Sequence, residues 1–458
     1  MNNTEQRSSL FEMDGVPHMG QAIPMALQHV IAMIVGCVTP AIIVSGAAGI
    51  SASDRVLLIQ TSLIVSALTT FLQLFPIGKR NGFHLGAGLP VIFGVSFAYV
   101  PSMTAIAEGY GIGAILGAQI IGGICAFIVG LTIKKIRNLF PPLIAGAVVF
   151  TIGLSLYPTA ISYMAGGAGQ ASFGSWQNWL VALFTLTVVT ILNHFAKGIL
   201  KLASLLVGML AGYIFSMIFG MVNFANVASA GFFSLPQPMH FGIKFEISAC
   251  VAIAILFIVN SVQAIGDFSA MTSGGLDREP TSDELQGAIL GLGVSNIIGA
   301  VLGCLPTSTY GQNVGIVTTT KVVNRITLGI AGLIILIAGI FPKFSALLTT
   351  IPYSVLGGAT VSVFASISMT GLKLITSEEM NYRNTSIVGL AVALGMGISQ
   401  VSASLASFPP WVTTVFGKSP VVVTTIVAIF LNICIPKMQA SKDSVELKTQ
   451  HTDTADIS

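Results

Sequence analysis

The sequence predicts an all-α polytopic membrane protein, and three observations carry that prediction. Hydrophobic residues make up 53% of the 458 and charged residues only 8%, against about 25% charged in soluble domains; the mean hydropathy is +0.88. Apolar runs of roughly 20 residues, the length that crosses a bilayer as a helix, recur from residue 21 to residue 436. Two of these runs are interrupted by Gly, Pro and hydroxyl residues, and they fall third and tenth in the order. Those are equivalent places in two sets of seven, the pattern of a seven-plus-seven inverted repeat with a site between the broken elements.

Taken in order, Met1 to Gly20 holds Glu5, Arg7, Glu12 and Asp14 and lacks a basic stretch leading into a short apolar core, so it reads as a polar arm and not as a cleaved signal. About fourteen spans follow at the length set by the bilayer: 21–48, 56–77, 84–103, 112–133, 141–164, 177–196, 201–222, 246–266, 285–305, 309–320, 325–341, 344–371, 386–403 and 419–436. The third contains Gly86-Ala87-Gly88-Leu89-Pro90 and the tenth follows Pro306-Thr307-Ser308-Thr309. Glycine loses helical order and proline lacks an N–H, so both are expected as broken spans containing short extended pieces. After Pro436 a polar tail, 437–458, predicts no appended soluble module, and transport is expected to be driven by a gradient or by another chain.

Basic residues orient these spans. Loops after even-numbered spans hold Lys79, Arg80, Lys134, Lys135, Arg137, Lys197, Lys201, Arg278, Lys321, Arg325, Lys373 and Arg383, whereas loops after odd-numbered spans hold Arg55, Lys244, Lys343 and Lys418. The asymmetry predicts even loops and both termini in the cytoplasm. It also accounts for the net charge of +3 without a nucleic-acid partner. Five scattered cysteines (Cys37, Cys125, Cys250, Cys304, Cys434) show neither metal nor disulfide spacing, and no cofactor is expected.

Polar groups at membrane depth cost several kcal/mol each unless protein or ligand bonds them, which makes a few residues informative. The run Tyr310-Gly311-Gln312-Asn313-Val314-Gly315, continuing to Thr318-Thr319-Thr320-Lys321, sets amides, glycines and hydroxyls in an apolar chain. It reads as a binding site or a buried hydrogen-bond network. Asp267 is the acid placed at the end of a long apolar stretch; intramembrane carboxylates face a cavity or a partner, and the competing reading is a helix-end carboxylate reaching solvent. Gln263 lies four residues earlier on the same helical face. Gln28-His29 sits in the first span, where His29 is either a structural hydrogen-bonder or a group that orients the site. Ser96-Phe97-Ala98 combines small and aromatic residues that let backbone approach a planar ligand, with packing as the alternative.

These motifs together resemble the nucleobase–ascorbate transporter family, the nucleobase:cation symporters of type 2. Gln-Asn-x-Gly-x-x-x-x-Thr-Lys at 312–321 is similar to the family signature, Gln28-His29 to its first-span pair, Ser96-Phe97-Ala98 to its third-span segment, and Gln263-Ala264-Ile265-Gly266-Asp267 to its eighth-span motif. The resemblance implies a core domain (21–138 and 246–341) moving against a gate domain (139–222 and 342–436), a cytoplasmic arm (1–20) and tail (437–458), a homodimer, and residence in the cytoplasmic membrane. It implies import of a purine nucleobase with a cation, H+ foremost. Gln312 would bond the base edge, joined by backbone at Gly311 and Phe97; Phe97 would cover the ring, flanked by Ser96 and Ala98. Asn313 would support the site, Thr320 with Lys321 would close the motif, and His29 beside Gln28 would orient the eighth-span motif. Glutamine at position 312 goes with xanthine or urate permeases in that family, and glutamate with uracil permeases.

One departure stands out. The family's eighth-span motif begins with a ligand-binding glutamate, and this chain has Gln263. Glutamine offers a donor and an acceptor but cannot carry a proton, which leaves Asp267 and His29 as candidate coupling groups and keeps Na⁺-coupled and uncoupled cycles open. Other nucleobases and a related-fold anion transporter are the alternative cargoes. A channel would want rings of charge or carbonyls along a continuous pore, and an enzyme would want a nucleophile–base or metal constellation; neither is present in the sequence.

Overall fold

The computed structural model describes residues 10–78, 83–132, 141–409 and 412–436. The loop basics Lys79, Arg80, Lys134, Lys135 and Arg137, the first residues of the arm and the tail lie outside them. Apolar runs of span length become helices: α1 Met19–Ala47, α2 Ala52–Leu74, α3 Val100–Tyr110, α4 Ile112–Leu131, α5 Pro142–Met164, α6 Trp176–Phe195 and α7 Ser204–Ile218 in the first half. The second half contains α8 Ile247–Leu276, α9 Ser282–Val301, α10 Gly311–Thr320, α11 Arg325–Ile340, α12 Pro342–Thr349, α13 Tyr353–Thr376, α14 Tyr382–Gln400 and α15 Pro420–Cys434. Among the described residues eight helices are long and apolar enough to cross a membrane, or nine if the bent pair α11–α12 is one span. Several of the fourteen expected segments are therefore shorter or broken elements.

Four short strands complete the chain: β1 Ile77–Gly78 pairs with β2 His84–Leu85, and β3 Phe93–Val95 pairs antiparallel with β4 Thr307–Thr309. The second pair joins the two halves, with Phe93 opposite Thr309, Gly94 opposite Ser308 and Val95 opposite Thr307. An open sheet edge in an apolar interior leaves unpaired backbone groups, and here side chains close both edges. Thr70 Oγ1 accepts the Phe93 N–H at 3.0 Å. Across the pair, Asn296 accepts the Thr307 N–H (2.8 Å) and donates to the Thr307 carbonyl (3.1 Å). Side chains could not come this close if Gly94 had a Cβ, which would run into Cys37 Sγ and the Tyr310 ring.

Three boundaries differ from the sequence reading. The helix expected at 246–266 runs thirty residues to Leu276, so Asp267 lies well inside α8 and not at its end. The third segment is helical from Val100, after a 3₁₀ turn over Phe97–Tyr99, and extends to Tyr110. The segment expected at 344–371 is two helices. Pro342 starts α12, which bends 81° from α11, and Pro352 is the N-cap of α13, which continues to Thr376. Proline suits a helix start and disfavours helical backbone in the residue before it, so each proline separates one helix from the next.

α4 packs against α8 and α9, and α11 against α1 and α2. α13 packs along α5 and α6, while α14 packs on α15. Ion pairs Arg278–Glu284 (2.6 Å), Lys321–Asp277 (2.8 Å) and Arg325–Asp14 (2.7 Å) gather at one end of the molecule. His240–Asp54 (2.7 Å) and Lys418–Glu108 (3.9 Å) mark the other. The arm is held to the first end: the Leu10 and Met13 carbonyls accept the Val323 and Arg325 N–H groups (3.2 and 3.0 Å).

Candidate functional site

Each strand of the β3–β4 pair runs into a helix start, and the two starts face one cavity. After β3, the Ser96 hydroxyl accepts the Ala98 N–H at 3.2 Å and turns the chain through Phe97 into α3. After β4, the Tyr310 carbonyl accepts both the Asn313 and Val314 N–H groups (3.1 Å each). That leaves the Gly311 and Gln312 N–H groups outside the helical pattern, at the positive end of α10. Tyr310 itself is anchored by its hydroxyl, which donates to the Val95 carbonyl at 2.8 Å.

The cavity has a volume of about 650 Å³, enough for a flat bicyclic ring and several waters. Three helices present residues to it at helical spacing. α8 contributes Gln263, Asp267 and Ala270; α10 contributes Gly311, Gln312, Gly315 and Thr318; α13 contributes Ser366, Ile367, Thr370 and Lys373. Phe97, with Val149 and Ile152 of α5, supplies apolar wall, and its ring meets Phe364 edge-on at a centroid distance of 5.3 Å. The stripes run from the strand pair toward the C-terminal ends of α10 and α13, where Thr318 and Lys373 lie.

Of the residues singled out from sequence, Ser96, Phe97, Ala98, Gln263, Asp267, Gly311 and Gln312 line this cavity. Asp267 accepts a hydrogen bond from the Thr309 hydroxyl, which ties the eighth-span motif to β4. Two turns earlier on α8, Asn260 donates to Ser308 Oγ at 2.8 Å. Asn313 faces away from the cavity. Its Nδ2 donates to His29 Nδ1 (3.0 Å) and to the His29 carbonyl (3.1 Å), so His29 accepts at Nδ1 and its N–H is on Nε2. His29 thus bonds the tenth-span signature and not the eighth-span motif, because β3 and β4 carry α10 against α1. Gln28 is buried outside the cavity wall. Thr320 caps the end of α10, donating to the Ile316 carbonyl (2.8 Å) and accepting the Val322 N–H (3.3 Å). Lys321 follows in left-handed conformation (φ 59°) and reaches Asp277.

Thr318 of the tenth-span run lines the cavity as well, and Thr309, Ser366, Thr370 and Lys373 are cavity residues that the sequence did not mark for the site. Ser366, Thr370 and Lys373 had a readable signal, since spacings of four and three put them on one helical face.

A helical membrane protein with a cavity between two interrupted elements has the architecture of a secondary transporter. The chain belongs to the nucleobase–ascorbate transporter family: a family model described as "Permease family" matches residues 20–404. It is similar to the uric acid permease PucJ of Bacillus subtilis, 33% identical over 437 residues covering 94% of this chain and 95% of the relative. It is 31% identical to the xanthine permease of the same organism over 439 residues (94% and 98%), and 29% identical to the xanthine permease XanP of Escherichia coli over 451 residues (94% and 96%). In fold it matches the transmembrane domain of a cyanobacterium bicarbonate transporter, BicA, with a TM-score of 0.57 at 14% identity, covering 91% of this chain and 98% of that one. SLC26A9 matches with a TM-score of 0.60 at 11% identity, over 92% of this chain and 67% of that one. These likenesses show an inverted-repeat transporter fold.

Proposed function

We propose that this protein imports an oxidised purine, xanthine or uric acid, across the cytoplasmic membrane with a co-transported cation, H+ foremost. One observation carries the reading: the β3–β4 pair brings Gln312, Gln263, the free N–H groups of Gly311 and Gln312, and the Phe97 ring to a single cavity. An oxopurine edge alternates N–H donors and C=O acceptors, and two glutamine amides can answer both. The ring face needs an apolar wall, which Phe97 offers. Relatives named as uric acid and xanthine permeases at about 30% identity point to the same cargo.

The packing supports a core-against-gate carrier cycle. The core domain (21–138 and 246–341) holds the strand pair, α8 and α10, and rocks against the gate domain (139–222 and 342–436), whose α5 and α13 wall the cavity. The polar stripes open toward the end that bears Lys321 and Lys373, the cytoplasmic end if the basic-residue asymmetry orients the chain. This arrangement supports an inward-facing state with both termini in the cytoplasm, and the family resemblance adds a gate-mediated homodimer to the proposal. Asp267, bonded to Thr309 and beside Gln312, is the group that takes up the coupling proton and releases it. The test is uptake of labelled xanthine, urate, guanine, hypoxanthine and uracil into permease-deficient cells, with and without a protonophore. Xanthine or urate uptake that collapses with the protonophore supports the reading; uptake of none of the five refutes it.

A further inference from the structure

The cavity contains one cationic side chain that hydrogen bonding to a purine does not use. Lys373 lies in the last turn of α13, beyond Ser366, Ile367 and Thr370 on the helix face that lines the cavity together with Gln263 and Asp267 of α8. A lysine near a helix C-terminus has an ordinary reason to be there, the negative end of the helix dipole. That reason does not choose a face, and the spacing of seven from Ser366 to Lys373 puts the ammonium on the cavity side. Among the described residues Lys373 forms no ion pair, and it and Asp267 are the charged residues lining the cavity.

We propose that Lys373 is a specificity-determining residue that favours the anionic form of an oxopurine over neutral bases, an inference that rests on the nucleobase reading of this cavity. Adding oxo groups to a purine acidifies its ring N–H: urate is a monoanion at neutral pH, whereas hypoxanthine is neutral. A monoanion entering a cavity walled by the Asp267 carboxyl meets like charge when that group is ionised, and a single ammonium on the α13 wall offsets it. The free N–H groups at the start of α10 favour the same charge. Because Lys373 sits on the gate side and near the cavity's open end, its contribution belongs to the state with the cavity open on that side.

The test is binding of urate and of hypoxanthine to the purified full-length protein at neutral pH and low ionic strength, for the parent, Lys373→Gln and Lys373→Arg. Lys373→Gln should weaken urate about tenfold, which is ~1.4 kcal/mol, while hypoxanthine stays within about twofold. Lys373→Arg should hold urate near the parent value, and raised ionic strength should narrow the gap between parent and Lys373→Gln, as screening requires. Equal losses for both purines would reduce Lys373 to a positioning role, and unchanged urate binding would remove it from recognition; either outcome overturns the proposal. A parent protein that binds neither purine overturns the nucleobase reading itself, a result distinguishable from the other two.

Discussion

Gln312 and Asn313 are neighbours in sequence with opposite surroundings, and replacing each with alanine separates recognition from support. Gln312 is exposed to the cavity and makes no side-chain hydrogen bond among the described residues. Its removal therefore strips no protein contact, and its cost falls on the ligand. One lost hydrogen bond in a dry site costs about 1–3 kcal/mol, or about 5- to 140-fold in affinity, and an amide holding two atoms of a base edge loses twice that free energy. Gln312→Ala should then drive purine affinity below measurement at ordinary substrate concentrations while membrane amount and thermal stability stay at the parent level. Asn313 is 1% exposed and donates both its bonds to His29. Asn313→Ala leaves the buried His29 Nδ1 without its donor, at about 1–3 kcal/mol, while the His29 carbonyl keeps its helical bond within α1, so it should lower the melting temperature in detergent, with any loss of uptake following from that. The assays are labelled xanthine uptake and fluorescence-monitored unfolding of the purified protein. If Gln312→Ala transports with unchanged apparent affinity, or destabilises as much as Asn313→Ala, the division of roles along α10 is wrong.

Asp267→Asn keeps an acceptor for the Thr309 hydroxyl but no titrating group, so it should lose concentrative uptake and retain exchange of internal for external purine; accumulation equal to the parent would move coupling to another group, His29 being the next to replace. Gln263→Glu supplies the acid that the family resemblance implies at this position, and it should leave binding in place while making uptake rise more steeply as the external pH falls, read from initial rates across a pH series. Asn296→Leu removes the two bonds that close the β4 edge (2.8 and 3.1 Å) and the contact of its Oδ1 with Gln119 Nε2 of α4 (3.3 Å); with about 1–3 kcal/mol for each buried group left unpaired, little folded protein should reach the membrane, as blotting of membrane fractions would show. A tag fused after Ser458 should be labelled in permeabilised but not in intact cells, and labelling of intact cells would overturn the orientation.

By itself the sequence determined the membrane class, the order and rough extent of the longer helices, the two broken elements and part of the cavity lining. Each of those rests on a local signal: span-length apolar runs for the long helices, clustered prolines, glycines and hydroxyls that break the spans around 86–90 and 306–311, and amides at 263 and 312 that an apolar environment does not accept without use. Only the tertiary structure decided the β3–β4 register, Thr309 as the partner of Asp267, Asn313 as the partner of His29, and Lys373 as a cavity residue instead of a loop cation. Those facts depend on segments from opposite halves of the chain meeting. A hydrogen bond between such segments is chosen by which backbone and side-chain groups the packed fold leaves unsatisfied, and no periodicity in either segment records that choice.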